Sequence, residues 1–248
     1  MKKITWRSFA AGCLILLFVV TMVFVFWAAD AAPASEIALQ AMESDANVYV
    51  SPENNWVIFF PADNSRPETG FIFYPGGRVD YQAYSPALRM IADEGYFVVL
   101  VPVPLNLAFF DINAAASVQA EYPEIQNWAV GGHSLGGVAA SSYASNHPDI
   151  AGLVLWASYP GNDLLRTMDT KVISIYGTND GLATKDKIDE SRILLPANTI
   201  FFPVEGGNHA QFGSYGPQAG DNEAAISPEE QWTQVANATV DFLVEISK

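Results

Sequence analysis

A serine between two glycines carries the most specific chemistry that this sequence offers. Residues 132–136 read Gly-His-Ser-Leu-Gly, the pattern G-x-S-x-G, after an apolar run at 128–130 and before a stretch of small residues at 137–142. This context predicts a strand, a sharp turn and a helix, with a strained serine backbone that only glycines can flank. Ser134 is therefore expected to be a nucleophile at a helix N-terminus, and the alternative is an ordinary glycine-rich turn.

A serine hydroxyl needs a base within hydrogen-bonding reach to become nucleophilic at neutral pH. The chain has three histidines. His133 neighbours Ser134 in a tight turn, so its side chain is expected to point away from the serine, and His147 is expected at a helix end. His209 lies in a glycine-flexed loop after the last predicted strand. The sequence therefore predicts His209 as the base, with a structural loop residue as the alternative.

The acid partner of the base is expected just after a strand between the serine and the histidine. Apolar residues 172–176 run into Gly-Thr-Asn-Asp-Gly at 177–181, which places Asp180 at that point. A buried carboxylate there would orient the imidazole and stabilise the imidazolium. Asp163 and Asp169 are less well placed alternatives. Asp180 is also open to interpretation as a plain turn residue, because Asn-Asp-Gly is a common turn sequence.

Two backbone amides are expected to form an oxyanion hole, which must hold the negative oxygen that develops during acyl transfer. The Leu135 N–H directly follows the nucleophile. The second is expected from Gly77, in the Phe-Tyr-Pro-Gly-Gly-Arg loop at 73–78 after an early strand. Paired glycines let the backbone approach a substrate closely, although a plain glycine turn has the same composition.

Four further residues are candidate substrate contacts: Gly76, Arg78, Phe109 and Phe110. The two phenylalanines belong to an apolar loop that either lines an acyl pocket or covers the sheet edge. Arg78 either attracts a substrate carboxylate or is an ordinary exposed arginine. The excursion at 158–166 is too short for a helical cap, so an open site is expected. The loop at 213–227 lacks an EF-hand spacing, and neither a metal nor a cofactor is predicted.

Apolar or β-branched runs alternate with helical patterns along the rest of the chain. Strands are predicted at 47–50, 56–60, 70–74, 96–103, 128–131, 151–157, 172–176 and 199–204, and helices at 84–94, 114–122, 135–146, 185–195 and 228–246. The first two strands are expected to be antiparallel, and the nearly continuous apolar middle strands are typical of a parallel sheet covered on both faces. The sequence predicts an α/β fold of about eight strands, with the functional loops along one sheet edge.

The first thirty residues differ from the rest of the chain. Lys2, Lys3 and Arg7 precede an uncharged apolar stretch at 8–29. About 21 residues at about 1.5 Å each would span the roughly 30 Å hydrocarbon core of a bilayer. The basic flank predicts that the N-terminus lies in the cytoplasm and that the catalytic domain lies outside it. An uncleaved signal anchor is favoured, and a signal peptide cleaved near the small residues at 28–32, giving a secreted protein, is the alternative.

Three segments are expected: a cytoplasmic tip with the transmembrane anchor at 1–30, a connecting segment at 31–46 and the catalytic domain at 47–248. The length of 248 residues and the 50% hydrophobic content allow one well-buried domain. Cys13 is the only cysteine, so no intramolecular disulfide can form. Without the three basic N-terminal residues, the chain has nine Lys and Arg and 27 Asp and Glu, which gives a formal charge of −18. Such a surface repels nucleic acid, which is therefore not an expected partner.

The order Ser134, Asp180, His209, each after a strand, resembles the α/β-hydrolase superfamily. Five segments, at 74–77, 104–109, 131–137, 176–181 and 206–213, are similar to a small bacterial group placed with dienelactone-hydrolase-like proteins, the α/β hydrolase fold-5 group. The resemblance runs from about residue 48 to the C-terminus and implies an α/β-hydrolase fold, to which the short excursion at 158–166 adds only a minimal cap.

Two departures limit what the resemblance implies. Dienelactone hydrolases use a cysteine nucleophile where this chain has Ser134, so the dienelactone reaction itself is not carried over. Pro75 replaces the usual histidine of a His-Gly oxyanion turn. The predicted function is hydrolysis of a small-molecule ester through an acyl-enzyme, without a cofactor. A non-catalytic binding domain on the same fold, or acyl transfer to an acceptor other than water by the same residues, are the alternatives.

Overall fold

The apolar runs form eight strands in the computed structural model, which describes residues 6–63 and 67–248. The strands are β1 (Val48–Glu53), β2 (Trp56–Pro61), β3 (Thr69–Tyr74), β4 (Phe97–Leu100), β5 (Asn127–His133), β6 (Gly152–Trp156), β7 (Lys171–Gly177) and β8 (Ile200–Val204). They form one sheet in the order β1-β2-β4-β3-β5-β6-β7-β8. The β1–β2 and β2–β4 pairs are antiparallel and the other neighbours are parallel. The predicted α/β fold is confirmed.

Helices cover both faces of this sheet. They are α1 (Trp6–Ala29), α2 (Glu36–Gln40), α3 (Ser85–Asp93), α4 (Ala114–Glu121), α5 (Leu135–Ala144), α6 (Lys185–Ser191) and α7 (Pro228–Ile246). Successive strand residues point to opposite faces. Accordingly Phe71 and Phe73 of β3 lie in the core beneath α3 and α7. Ile72 and Tyr74 lie in the second core, beneath α4 and α5.

Most observed element boundaries lie within two residues of the predicted ones, and three differ by more. Strand β1 ends at Glu53 rather than at residue 50. Strand β4 ends at Leu100 rather than at residue 103, because Pro102 lacks the N–H that a sheet ladder needs. Helix α6 ends at Ser191 and continues as a 3-10 turn, Arg192–Leu194, before Pro196. The strands β3 to β8 all run parallel, so their carboxyl ends, and the loops that follow them, meet along one edge of the sheet.

Helix α1 contains a 20-residue window, Ala10–Ala29, with a mean hydropathy of 2.6, which is long and apolar enough to cross a membrane. A signal sequence passes the same test. Lys2 and Lys3, on which the predicted orientation depends, lie outside the described residues. Residues 31–46, expected to be a connecting segment, include α2 and pack against the domain, where Ala38 is fully buried.

Candidate active site

Ser134 lies in a strained turn between β5 and α5. Its backbone has φ 50° and ψ −118°, outside the region that most residues adopt. A Cβ on Gly136 would lie 2.2 Å from the Tyr74 carbonyl oxygen, and one on Gly132 would lie 2.5 Å from the Gly136 backbone. Glycine at both positions is therefore a steric requirement of the turn. The Ser134 N–H donates to the Trp156 carbonyl at 3.0 Å, which fixes the turn to β6.

Asp180 and His209 form a buried hydrogen-bonded pair. Asp180 Oδ2 lies 2.8 Å from His209 Nδ1. Its other oxygen, Oδ1, accepts hydrogen bonds from the Leu182 and Ala183 N–H groups, both at 2.7 Å. The carboxylate is thus held by its own loop and orients the imidazole. In the part of the chain that the structure describes, the buried His209 Nε2 has no hydrogen-bond partner. That nitrogen is available to accept a proton.

Asp221 joins the loop of Asp180, the predicted acid, to the loop of His209, the predicted base. Its Oδ1 accepts from the Gly181 N–H at 2.9 Å, and its Oδ2 accepts from the Ala210 N–H at 2.8 Å. Gly181 directly follows Asp180 and Ala210 directly follows His209. One half-buried carboxylate therefore fixes the two loops relative to each other.

Gln231 of α7 holds the base loop, which is the segment around His209, the predicted base. Its side chain is fully buried. The Asn208 N–H donates to Gln231 Oε1 at 3.0 Å, and Gln231 Nε2 donates to the Asn208 carbonyl at 2.8 Å. These two bonds pair the amide side chain with the backbone of the residue just before His209. The long C-terminal helix thus sets the position of the base loop.

A second buried network links His133 to the glycine loop. The Gly76 N–H donates to Tyr84 Oη at 3.0 Å, and Tyr84 Oη lies 2.9 Å from His133 Nδ1. Since the phenolic oxygen accepts from Gly76, its proton is available for the ring nitrogen. The ring centroids of His133 and His209 are 4.5 Å apart. Burial lowers the pKa of His133 well below its ordinary value, and the adjacent His209 lowers it further.

Gly77 and Leu135 are brought together beside Ser134. A Cβ on Gly77 would lie 2.8 Å from Leu135 Cδ2, so the two loops are in contact. Among the described residues, no acceptor takes the Gly77 N–H, although the flanking Gly76 and Arg78 amides are both bonded. Leu135 is the first residue of α5, where the N–H has no partner within the helix. Two free amide donors therefore lie close to the serine.

A cavity of about 640 Å³ opens at Ser134. Gly77, Arg78 and Leu135 line it, together with three segments of other elements: Trp27 and residues 30–33 from the end of α1, Leu107 after β4, and Tyr215 with residues 217–219. The connection between β6 and β7 contains only a 3-10 turn, Leu164–Thr167, and no helical cap, as its short length predicted.

Of the remaining substrate candidates, Arg78 lines the Ser134 cavity, whereas Gly76, Phe109 and Phe110 do not. Phe109 and Phe110 are 46% and 53% exposed. Arg78 is engaged within the chain, because it forms an ion pair with Asp30 at 3.1 Å. Asp163 and Asp169 are exposed, and His147 Nδ1 bonds the Tyr143 carbonyl at 2.8 Å. Among the described residues, no group of three or more His, Cys, Asp or Glu side chains is arranged to hold a metal ion.

Three supporting residues of this site, Tyr84, Asp221 and Gln231, did not stand out in the sequence. Each acts through hydrogen bonds to site residues between 8 and 49 positions away along the chain, and none belongs to a local motif. The only signal was indirect: a buried His133 in the serine turn needs a hydrogen-bond partner, and a tyrosine on a neighbouring element is one of the few candidates.

The comparisons with known proteins agree with this architecture. A family model described as the alpha/beta hydrolase family matches residues 70–233. An esterase domain from Rhodothermus marinus superposes with a TM-score of 0.60 at 13% identity, covering 80% of this chain and 98% of that one. Est1E from Butyrivibrio proteoclasticus gives 0.59 at 12% identity, covering 81% and 99%.

A Klebsiella pneumoniae protein assigned as a dienelactone hydrolase gives a TM-score of 0.57 at 14% identity, covering 77% of this chain and 92% of that one. No curated protein sequence matches. At these identities the structures establish the fold, and the family model covers more than half of the chain. The resemblance noted in the sequence is confirmed: the protein is a member of the alpha/beta hydrolase family.

Proposed function

We propose that this hydrolase cleaves carboxylic esters with a Ser134–His209–Asp180 triad, through an acyl-enzyme. The observation that carries the proposal is the buried His209, which Asp180 holds at 2.8 Å through Nδ1 while its Nε2 has no partner among the described residues. A base that a carboxylate orients in this way is the partner that activates a nucleophilic serine. One structural neighbour, the esterase domain from Rhodothermus marinus, favours an ester as the substrate.

The proposed reaction begins when His209 Nε2 removes the Ser134 hydroxyl proton as Oγ attacks the ester carbonyl carbon. The negative oxygen of the tetrahedral intermediate accepts hydrogen bonds from the Gly77 and Leu135 amides. The imidazolium then protonates the leaving alcohol, and the acyl group stays on Oγ. A water molecule, deprotonated by the same Nε2, attacks the acyl-enzyme and releases the carboxylic acid and the free serine.

We further propose that α1 is retained as a signal anchor with the catalytic domain outside the cytoplasm. The support is the basic flank of Lys2, Lys3 and Arg7 before an uncharged apolar helix. The acidic exported part, with a formal charge of −18, suits neutral or cationic substrates.

The proposal is tested with a fluorophosphonate probe on the full-length protein in detergent. The probe should label the wild type, and Ser134→Ala and His209→Gln should each lose at least about 99% of the labelling rate, since removal of a triad member costs several powers of ten. Ser145→Ala and His147→Gln are the matched controls, because both residues lie at the far end of α5 and should label normally. Folding of every variant is checked by circular dichroism. Labelling that persists in Ser134→Ala would overturn the proposal.

A further inference from the structure

The end of the apolar helix is attached to the catalytic domain next to the serine. Arg78 donates to the Asp30 carbonyl at 2.8 Å and pairs with its carboxylate, while its guanidinium lies 4.7 Å from the Trp27 ring centroid. Asn106 Nδ2 donates to the Ala28 carbonyl at 3.1 Å. Ala28 is fully buried. These contacts come from the last two turns of α1 and the residue that follows it.

The segment after the helix is held by backbone hydrogen bonds. The Ala32 N–H donates to the Arg78 carbonyl at 2.8 Å, and the Asp80 N–H donates to the Ala32 carbonyl at 2.9 Å. Trp27 and residues 30–33 thereby form one wall of the Ser134 cavity. Cleavage near residues 28–32 would remove the helix and part of this wall. The wall is therefore an argument that α1 stays attached.

The loop after β4 reaches back along the helix. The Phe110 ring lies 6.1 Å from the Phe24 ring, in an edge-on arrangement. Phe24 lies five residues before the end of the apolar window Ala10–Ala29, which is about 7.5 Å along a helix axis. Phe110 therefore lies level with the apolar window rather than beyond it. Phe109 and Phe110 are both about half exposed, and the exposure of such large apolar side chains to water is unfavourable.

We infer that the catalytic domain rests on the membrane surface, with Phe109 and Phe110 in the hydrocarbon and the Ser134 cavity open at the lipid interface. The substrate class that this position selects is an ester of a membrane lipid, presented from the leaflet. Trp27 lies at the end of the apolar window, at the depth where aromatic residues are enriched in membrane proteins. Glycerolipid esters lie at the same boundary between headgroup and acyl chains. The formal charge of −18 favours neutral or zwitterionic lipids over anionic ones.

This inference rests on the proposed serine chemistry. Its first test measures depth, independently of activity. In a Cys13→Ser background, Phe110→Cys carries an environment-sensitive fluorophore in phosphatidylcholine vesicles that contain nitroxide-labelled phospholipid. Ile193→Cys is the matched control, because Ile193 is 72% exposed and lies before β8, at the opposite edge of the sheet. We expect at least threefold stronger quenching at position 110 than at position 193. Equal quenching at the two positions would overturn the inference.

The second test compares substrates. Full-length protein in phosphatidylcholine vesicles is assayed on a fluorogenic diacylglycerol ester within the bilayer and on soluble p-nitrophenyl butyrate. Phe110→Asp should lower the ratio of bilayer to soluble activity at least tenfold, while Ile193→Asp leaves the ratio unchanged. Hydrolysis of the soluble ester alone by the wild type would overturn the lipid inference and keep the proposed serine chemistry. Hydrolysis of neither ester would count against the serine chemistry itself, whereas the depth measurement would still decide the position on the membrane.

Discussion

The serine turn and the histidine loop reach the same site by different means. The turn around Ser134 is built from its own glycines, whose missing side chains let β5, α5 and the Tyr74 carbonyl approach within 2.2–2.7 Å of where a Cβ would be. The loop around His209 has glycines too, with Gly206 at φ 76°, but it also depends on partners from outside the loop. Side chains from elsewhere hold it, above all Asp221 and Gln231. A motif with local steric causes is visible in the sequence, whereas the distant hydrogen bonds that position a loop are not.

The largest expected effect comes from a substitution in the serine turn, whose shape depends on local steric contacts. Gly136→Ala places a Cβ 2.2 Å from the Tyr74 carbonyl and 2.4 Å from that of Pro75, and both are backbone atoms that cannot move cheaply. We expect a loss of more than about 3 kcal/mol of unfolding free energy, or no folded protein at all. Gly161→Ala is the matched control, because the nearest atom to its Cβ would be 3.9 Å away. Chemical denaturation of the two variants measures the difference, and equal stability would contradict the steric account.

The distant support of the base loop is tested by Asp221→Asn. The amide keeps the shape, but one of its two ends is a donor that faces a backbone N–H, either that of Gly181 or that of Ala210. An unsatisfied donor costs about 1–3 kcal/mol, and a small displacement of the loops separates Asp180 from His209. We expect kcat/KM for p-nitrophenyl butyrate to fall about tenfold or more, chiefly through kcat.

Asp163→Asn is the control for this prediction, because that carboxylate is exposed and outside the site. Unchanged turnover in Asp221→Asn would mean that the two loops hold their positions without the carboxylate. The loop around His209 would then not need a distant side chain to hold its position, in contrast to the account given above.

A smaller effect is expected from Tyr84→Phe. Loss of the hydroxyl leaves the Gly76 N–H without its acceptor and His133 Nδ1 without its donor. Because Gly76 precedes Gly77, the loop that carries one proposed oxyanion donor loses its anchor. We expect kcat to fall severalfold with little change in KM. The control is Tyr143→Phe, whose hydroxyl bonds Gln119 on α4, away from the serine. A change in KM alone would show that Tyr84 shapes the cavity instead of positioning the amide.

The same contrast explains how much was visible in the sequence. The eight strands, the serine turn and the Asp180 loop could be predicted because apolar runs, glycines and turn residues act locally. The docking of the α1 end could not, because it depends on Arg78 meeting Asp30, 48 residues earlier in the chain. The hydrogen bond that joins Gln231 to the base loop spans 23 residues and belongs to no repeating pattern. Strand β4 was predicted too long, since its apolar run continues past Pro102.

The last expected effect concerns pH and the buried ring of His133, which connects the serine turn to the Tyr84 network. The folded protein keeps this ring neutral, because burial lowers its pKa well below the ordinary 6.5, whereas the unfolded chain binds the proton as the pH falls below that value. The unfolded state then holds more protons, so stability falls with falling pH, by at most about 1.4 kcal/mol per pH unit for one group. In His133→Gln this contribution disappears. Urea unfolding of both proteins between pH 7 and pH 5 should show a shallower loss of stability in the variant, with His147→Gln retaining the slope of the wild type. Parallel slopes in all three proteins would mean that the folded state accommodates the charged ring, and that the Tyr84 network is less closed than its buried hydrogen bonds indicate.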